Sequence, residues 1–255
     1  MRPDRFKKII FSAVFLVLAL SILLNVGLCS QLRKYYTLLY AVELDPLGLG
    51  IFQDPPSQET PDENLQTVVF FGDSRAAQWP TPNVDGFWFI NRGIGNQTSA
   101  QIVSRFDVHI RPLQPDIVVL QFCINDLKTI PLFPERKRQI ILNCEANIQR
   151  MVQQSLDMDA IVVLSTVFPA GKVPLARRLV WSDDIGKSVE EVNAFIQALS
   201  REGVIIFDAA KILSDDTGKL KQQYSFDTLH LNEQGYQALN AEFIKILEEL
   251  EQESP

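Results

Sequence analysis

Residues 67–74 read TVVFFGDS, an apolar run that ends directly in a glycine, an aspartate and a serine. An apolar run without an alternating polar face is typical of a strand that is buried on both sides, as in a parallel sheet. Four similar runs follow: FWFIN at 87–91, DIVVLQF at 116–122, AIVVLST at 160–166 and GVIIFDA at 203–209. The sequence therefore predicts a five-stranded parallel sheet.

Longer segments with helical spacing of apolar residues separate these runs. The predicted helices lie near 97–111, 135–157, 184–202 and 233–251. Because strand and helix alternate, we expect right-handed crossovers and a three-layer α/β/α sandwich. Ligands of such folds bind outside the carboxyl ends of the strands. Residues that directly follow the strands are therefore the first candidates for a functional site.

The N-terminus has the composition of a membrane anchor. The uncharged stretch at 9–30 is long enough, at about 1.5 Å per residue, to cross a bilayer core of roughly 30 Å. More positive charge precedes it than follows it: Arg2, Arg5, Lys7 and Lys8 against Arg33 and Lys34. This bias predicts a cytoplasmic N-terminus with the rest of the chain across the membrane. A cleaved signal peptide is the alternative, but the apolar run is longer than signal peptides require.

Composition divides the chain into three parts. Residues 1–30 are the basic start and signal-anchor helix, and residues 31–64 are a membrane-proximal segment that ends in a polar, proline-rich linker. Residues 65–255 are long enough for one α/β domain.

Charge and cysteine spacing exclude two classes of site. The net charge is −7, and no basic run follows the first residues, so we expect no nucleic-acid partner. Cys29, Cys123 and Cys144 lack the spacing of metal ligands, so no metal site is predicted. Cys123 and Cys144 are interpreted as free thiols, with a disulfide between them left open.

Ser74 is the candidate nucleophile, because it follows the first strand and begins a helix. A serine hydroxyl needs a base to remove its proton, and the chain has only two histidines. His230 lies three residues after Asp227, whose carboxylate could orient the ring. His109 lies in a predicted amphipathic helix and is interpreted as structural. The alternative for Asp-Ser at this position is a simple helix cap.

Two further segments follow the second and third strands. The turn NRGIGNQTSAQ at 91–101 contains glycines that permit close approach of the backbone. Asn125, in QFCINDL, carries an amide that could donate to an oxyanion, although a turn or cap role would suit it equally. All of these segments fall on the edge of the sheet where Ser74 is expected.

Together the four blocks FFGDSR, NRGIGNQT, INDL and DTLHLN resemble those of the SGNH, or GDSL-type, hydrolase family, over roughly residues 65–250. The resemblance implies a flavodoxin-like fold and a Ser-His-Asp mechanism. Ser74 would attack an ester carbonyl, His230 would take its proton, and Asp227 would orient the imidazolium. It also implies an oxyanion hole made by the Ser74 backbone N–H, a backbone N–H of the second block and the Asn125 side chain, with no metal or organic cofactor.

Three positions depart from the family pattern. The second-block glycine aligns with Asn96, one residue after Gly95, so Asn96 is the expected oxyanion donor and Gly95 the alternative. Cys123 stands where the third block usually begins with glycine. Arg75 replaces the leucine of the GDSL name and is expected to be a solvated side chain or a contact to an anionic substrate.

The sequence thus predicts a membrane-anchored carboxylic ester hydrolase whose catalytic domain is periplasmic or extracellular. The substrate would be a small-molecule, lipid or glycan ester. Acyl transfer to a cell-envelope glycan and an inactive tethered binding module remain as alternatives. The segments at 128–138 and 169–184 are long loops on the predicted site edge, and we expect them to shape specificity.

Overall fold

The computed structural model describes residues 3–52 and 65–253. The chain divides into two compact units, Met1–Pro46 and Leu47–Pro255. The proline-rich part of the predicted linker falls almost wholly at 53–64 and so lies outside the described residues.

The first unit is a helix, α1, at Pro3–Leu44. Its part from Lys7 to Leu44 is long and apolar enough to cross a membrane. The predicted span at 9–30 lies inside it, but the helix continues for another fourteen residues beyond Ser30. The next proline after Pro3 is Pro46, so no helix-breaking proline interrupts this stretch and α1 ends two residues before one.

The second unit contains the predicted five-stranded parallel sheet, with strand order β2-β1-β3-β4-β5. The strands are β1 Gln66–Gly72, β2 Phe87–Asn91, β3 Ile117–Gln121, β4 Ile161–Ser165 and β5 Val204–Phe207. Strand β1 lies between β2 and β3, and Gly72 at its end is paired with Gln121 of β3. The blocks that follow β1 and β3 therefore begin side by side.

Helices cover both faces of the sheet, and the predicted α/β/α sandwich is confirmed. The remaining helices are α2 Ser74–Ala77, α3 Ser99–Ser104, α4 Phe106–His109, α5 Ile124–Leu127, α6 Lys137–Leu156, α7 Asp184–Gln197, α8 Ala209–Leu213 and α9 Glu233–Glu253. Short 3-10 turns lie at Arg111–Leu113, Ile130–Leu132, Pro134–Arg136, Leu175–Val180 and Gln222–Tyr224. The segment predicted as one helix near 97–111 is divided at Arg105 into α3 and α4.

The alternation of side chains along β1 produces two cores. Val69 and Phe71 pack with residues of α3, α4, α6 and α7, whereas Val68 and Phe70 pack with α8 and α9. Removal of this much apolar surface from water is the main stabilising contribution to such a fold. The two cores hold the carboxyl ends of the strands in fixed positions.

The Arg105 side chain is completely buried and joins the ends of two strands. Its guanidinium donates to the carbonyls of Gly72 (2.9 Å) and Arg92 (2.8 Å) and lies 4.2 Å from the centroid of the Phe71 ring. Because burial disfavours the charged form, the pKa of Arg105 is lowered to about 9. The backbone carbonyls and the ring compensate part of the lost hydration.

Asp73 is a second buried ionisable group, at the start of α2. Its Oδ1 accepts a hydrogen bond from the Arg75 N–H at 2.9 Å, while Oδ2 has no hydrogen-bond partner among residues 3–52 and 65–253. Desolvation raises the pKa of Asp73 to about 6, despite the opposing attraction of the Arg75 guanidinium. The charged form therefore opposes folding.

We expect the Asp73→Asn protein to be more stable than the wild type above pH 6, by up to about 3 kcal/mol. Between about pH 4 and pH 6 the folded state binds more protons at Asp73 than the unfolded state, so the free energy of unfolding falls as pH rises. Asparagine at position 73 can still accept the Arg75 N–H as the cap of α2, but its side chain does not titrate. The gain should disappear below about pH 4, where Asp73 is neutral in both states.

Thermal unfolding of the full chain from pH 4 to pH 7 measures this difference. Asp107→Asn is the control, because the Asp107 carboxylate is exposed and forms an ion pair with Arg111. If Asp73→Asn were less stable than the wild type at pH 7, the pairing of Asp73 with Arg75 would outweigh desolvation and the prediction would be wrong.

Candidate active site

Ser74 lies where β1 passes into α2. A Cβ at Gly72 would collide with the Gln121 backbone carbonyl, so only glycine permits β1 and β3 to approach this closely. The chain then enters α2 with Asp73 as its cap, which leaves the Ser74 side chain partly exposed. The hydroxyl is thereby presented at the carboxyl edge of the sheet.

His230 and Asp227 come from the loop before α9 and meet Ser74 at this edge. The Ser74 Oγ lies 3.0 Å from His230 Nε2, and His230 Nδ1 lies 2.9 Å from Asp227 Oδ2. The Asp227 Oδ1 also accepts the backbone N–H of Leu229 at 2.7 Å and that of His230 at 2.8 Å. These two backbone bonds fix the carboxylate relative to the ring that it contacts.

The charge state of Asp227 follows from these contacts. Partial burial works against the carboxylate, but the hydrogen bonds from the His230 side chain and from the two backbone N–H groups outweigh it, and the net pKa of Asp227 is lowered. Asp227 is therefore ionised near neutral pH. An anion at this position favours a proton on His230 Nδ1, which leaves Nε2 free to accept the hydroxyl proton of Ser74.

Arg75 is fully buried, so both sequence-based expectations for it, a solvated side chain and a contact to an anionic substrate, are wrong. Its Nε donates to the Leu229 carbonyl at 2.8 Å and its Nη1 to the Phe168 carbonyl at 2.9 Å. The Tyr236 hydroxyl donates to the Arg75 carbonyl at 2.9 Å. The Arg75 side chain thus joins α2, which begins at Ser74, to the residue before His230. A leucine, as in the family pattern, has no donor for this hydrogen bond.

The second block lies beside Ser74. A Cβ on Gly95 would stand 3.9 Å from the Ser74 Cβ, and Asn96 adopts a left-handed backbone with φ of 65°. This conformation is one that asparagine tolerates better than most residues. Among the described residues, no hydrogen bond uses the backbone N–H of Ser74 or of Asn96. Both amides are therefore available to an oxyanion.

The amide of Asn125 has a defined orientation. Its Nδ2 donates to the Gln97 carbonyl at 2.9 Å, and its Oδ1 accepts from Lys128 Nζ at 2.6 Å. If the amide were flipped, its NH₂ group would face the Lys128 ammonium and its oxygen would face the Gln97 carbonyl, so both hydrogen bonds would be lost. The contribution of Lys128 could not be predicted from the sequence, since a lysine three residues after Asn125 is usually solvated.

Cys123 takes the place of the third-block glycine and adopts φ of 89°. It forms a disulfide with Cys144 of α6, with a Cα–Cα distance of 6.0 Å. The interpretation of these cysteines as free thiols is therefore wrong. The pairing could not be deduced from the sequence, since it depends on the packing of α6 against the third block. The disulfide holds Cys123 in a backbone conformation that only glycine adopts readily.

His109 does not take part in the Ser74–His230–Asp227 chain of hydrogen bonds. It is buried in α4, and its Nδ1 lies 3.3 Å from Arg105 Nη1. Its contacts agree with its interpretation as structural.

Exposed apolar side chains lie on loops at the carboxyl edge of the sheet, the edge that carries Ser74. Within 65–253, eight large apolar side chains are exposed, and six of them stand on the loops that follow β3, β4 and the turn before Asp227. These six form the apolar rim: Leu132, Phe133, Leu175, Leu179, Val180 and Phe226. A Lys137–Asp184 ion pair of 2.8 Å links the first two loops, and the Gly171 N–H donates to the Thr228 carbonyl at 2.8 Å, which links the last two.

Solved structures of known proteins share this fold. A GDSL-like lipase from Bacteroides thetaiotaomicron superposes with a TM-score of 0.63 at 23% identity, over 76% of this chain and 94% of that one. A lipase/acylhydrolase from Enterococcus faecalis gives 0.55 at 20% identity, over 72% and 95%. An acetyl xylan esterase, AlAXEase, gives 0.54 at 18% identity, over 71% and 98%.

Sequence comparison gives the family directly. A search of the curated proteins found no sequence match. The model of the GDSL-like lipase/acylhydrolase family, in contrast, matches residues 70–238 and so includes every block of the site. Because this match covers well over half of the sequence, the chain belongs to the GDSL-like lipase/acylhydrolase family of hydrolases.

Proposed function

We propose that the protein is a carboxylic ester hydrolase that works through an acyl-enzyme on Ser74. The observation that carries the proposal is the unbroken series of contacts from Ser74 Oγ to His230 Nε2 and from His230 Nδ1 to Asp227. A serine with its base and an oriented third group within hydrogen-bond reach has the geometry of an activated nucleophile.

The reaction follows from these positions. Ser74 Oγ attacks the ester carbonyl carbon as its proton moves to His230 Nε2, and the carbonyl oxygen becomes an oxyanion. The backbone N–H groups of Ser74 and Asn96 and the second N–H of Asn125 would donate to this oxyanion. The tetrahedral intermediate then expels the alcohol, which takes the proton from His230, and Ser74 keeps the acyl group. Water, deprotonated by His230, releases the acid and restores Ser74.

Water is the proposed acceptor of the acyl group, because the base is open to solvent. The His230 side chain is 26% exposed, so water reaches the position that it must occupy to attack the acyl-enzyme. An inactive binding module is disfavoured, because such a protein would have no need for the aligned contacts of Ser74, His230 and Asp227.

We expect Ser74→Ala to abolish ester hydrolysis, with a fall in kcat of at least about 10³-fold, because no covalent intermediate can form. A fluorophosphonate probe should label the full chain at Ser74, as located by mass spectrometry, and His230→Ala should lose this labelling. Ser104→Ala is the control, since Ser104 is exposed on α3. Unchanged hydrolysis by Ser74→Ala would refute the proposed mechanism.

The substrate should carry an apolar acyl or alcohol group. The apolar rim lies on the same edge of the sheet as Ser74: Phe226 is 76% exposed directly before Asp227, and Leu179 is 91% exposed on the loop after β4. Six exposed apolar side chains on one edge supply apolar surface that a ligand there would cover. Each substrate methylene that leaves water contributes about 0.8 kcal/mol, which is roughly a fourfold effect on kcat/KM.

We expect Phe226→Ser and Leu179→Ser to lower kcat/KM for a p-nitrophenyl octanoate by about five- to tenfold and to leave that for the acetate unchanged. Val108→Ser is the matched control, because Val108 is 54% exposed on α4, outside the apolar rim. An equal loss on both esters, or no loss on either, would contradict an acyl-binding role.

The domain that carries Ser74 is proposed to lie outside the cytoplasm, held by α1. Two observations support this location. One is the excess of basic residues before the apolar part of α1, and the other is the disulfide between Cys123 and Cys144, which persists in oxidising compartments.

In spheroplasts of a bacterial expression host, added protease should therefore remove a C-terminal tag and spare an N-terminal tag on α1. A cytoplasmic reporter protein checks that the spheroplasts are intact. Protection of the C-terminal tag until detergent is added would place the domain in the cytoplasm and overturn the proposed topology.

A further inference from the structure

A short segment before the family's matched region packs on the second block. Leu47–Phe52, named here the docked segment, precedes the match at 70–238 by eighteen residues, yet belongs to the same compact unit as the sheet. Its contacts include Arg92, Ile94 and Gln97, which belong to the turn between β2 and α3. This is the turn that presents Asn96.

Gly48 permits the closest of these contacts. It is buried and adopts φ of 68°, and a Cβ there would lie 2.9 Å from Ile94 Cδ1 and 3.2 Å from Gln97 Nε2. A Cβ there would also lie 3.2 Å from Ile51 Cδ1, so a side chain at this left-handed position would press on Ile94, Gln97 and Ile51. Next to it, the Leu47 carbonyl accepts a hydrogen bond from Gln97 Nε2 at 2.8 Å.

Phe52 makes the second attachment. Its ring centroid lies 4.7 Å from the Arg92 guanidinium carbon and 5.3 Å from the centroid of the His109 ring, which it meets edge to face. Arg92 and His109 both bond to Arg105, through the Arg92 carbonyl and His109 Nδ1. The Phe52 ring therefore packs against Arg92 and His109, both of which contact the Arg105 guanidinium near the ends of β1 and β2.

Gln97 connects the docked segment to the oxyanion site. Its side chain is held at both ends, with Nε2 on the Leu47 carbonyl and Oε1 accepting from Arg105 Nε at 2.5 Å. Its backbone carbonyl accepts the Asn125 amide, and its N–H belongs to the peptide that follows Asn96. A shift of the Gln97 side chain that also moves its backbone would displace the Asn125 amide through its bond to the Gln97 carbonyl, and the Asn96 N–H through the Asn96 backbone.

We propose that the docked segment is a positioning element of the oxyanion hole, acting through Gln97 on Asn96 and Asn125. The proposal rests on the ester hydrolase function proposed above. Charge develops on the oxyanion only in the transition state, so misplaced donors lower kcat and leave KM nearly unchanged. Removal of one donor costs about 10²- to 10³-fold in kcat, and a displaced donor should cost about tenfold.

The test compares two glycine substitutions in the full chain, with p-nitrophenyl acetate as substrate. Gly48→Ala places a Cβ against Ile94 and Gln97 at a positive φ. Gly203→Ala is its matched control, because Gly203 has φ of 75°, a Cβ there would lie 2.8 Å from Leu156 Cδ2, and it precedes β5 at the opposite edge of the sheet. Thermal unfolding checks that both variants lose similar stability.

We expect Gly48→Ala to lower kcat about tenfold at an unchanged KM, and Gly203→Ala to keep the wild-type kcat. Equal kcat values in the two variants would overturn the positioning role. If Gly48→Ala does not fold, Phe52→Ser and Phe52→Tyr decide the question, since tyrosine keeps the aromatic face on Arg92 and should restore kcat that serine loses. Equal kcat values for serine and tyrosine would likewise overturn it.

Measurements on the wild type distinguish a failure of this inference from a failure of the proposed function on which it rests. A wild-type protein that neither hydrolyses the ester nor reacts with a fluorophosphonate at Ser74 refutes the proposed function itself. A wild type active at Ser74, combined with a Gly48→Ala variant that behaves as the Gly203→Ala control, refutes the positioning role alone.

Discussion

The buried guanidinium of Arg105 is the constraint on which the site depends. It bonds to the carbonyl of Gly72 at the end of β1, to that of Arg92 after β2 and to the Gln97 side chain. A charge in this position has lost its hydration, so the three acceptors must stay in place around it. Arg105 is thereby bonded both to the end of β1, which leads to Ser74, and to the turn that contains Asn96.

Arg75 has the complementary role on the other side of Ser74. It binds backbone carbonyls of the loops after β4 and before α9, so the loop that supplies His230 is held to the helix that begins at Ser74. Both arginines donate to main-chain oxygens, and neither forms a salt bridge with a residue of 3–52 or 65–253. Burial lowers the pKa of Arg75 to about 10, against the attraction of the nearby Asp73 and Asp227 carboxylates.

Local patterns in the sequence were sufficient to predict the architecture. Uninterrupted apolar runs fixed the five strands, and the position of Ser74, Asn125 and His230 after strands or before a helix placed them on one edge. What could not be predicted depends on contacts between distant segments. Arg75, Lys128 and the Cys123–Cys144 disulfide carry no signal in their own neighbourhoods, because burial and pairing at these positions arise only when the sheet and its helices assemble.

The docked segment also extends the N-terminal boundary of the folding unit. A fragment designed on the family match would begin at residue 70, and one designed on composition would begin at 65, and either would remove Leu47 and Phe52. In such a fragment the Gln97 amide would lose its acceptor and the Arg92 guanidinium its aromatic neighbour. Expression of the α/β unit by itself therefore calls for a boundary at Leu47, because low activity of a shorter fragment would reflect the loss of Leu47 and Phe52.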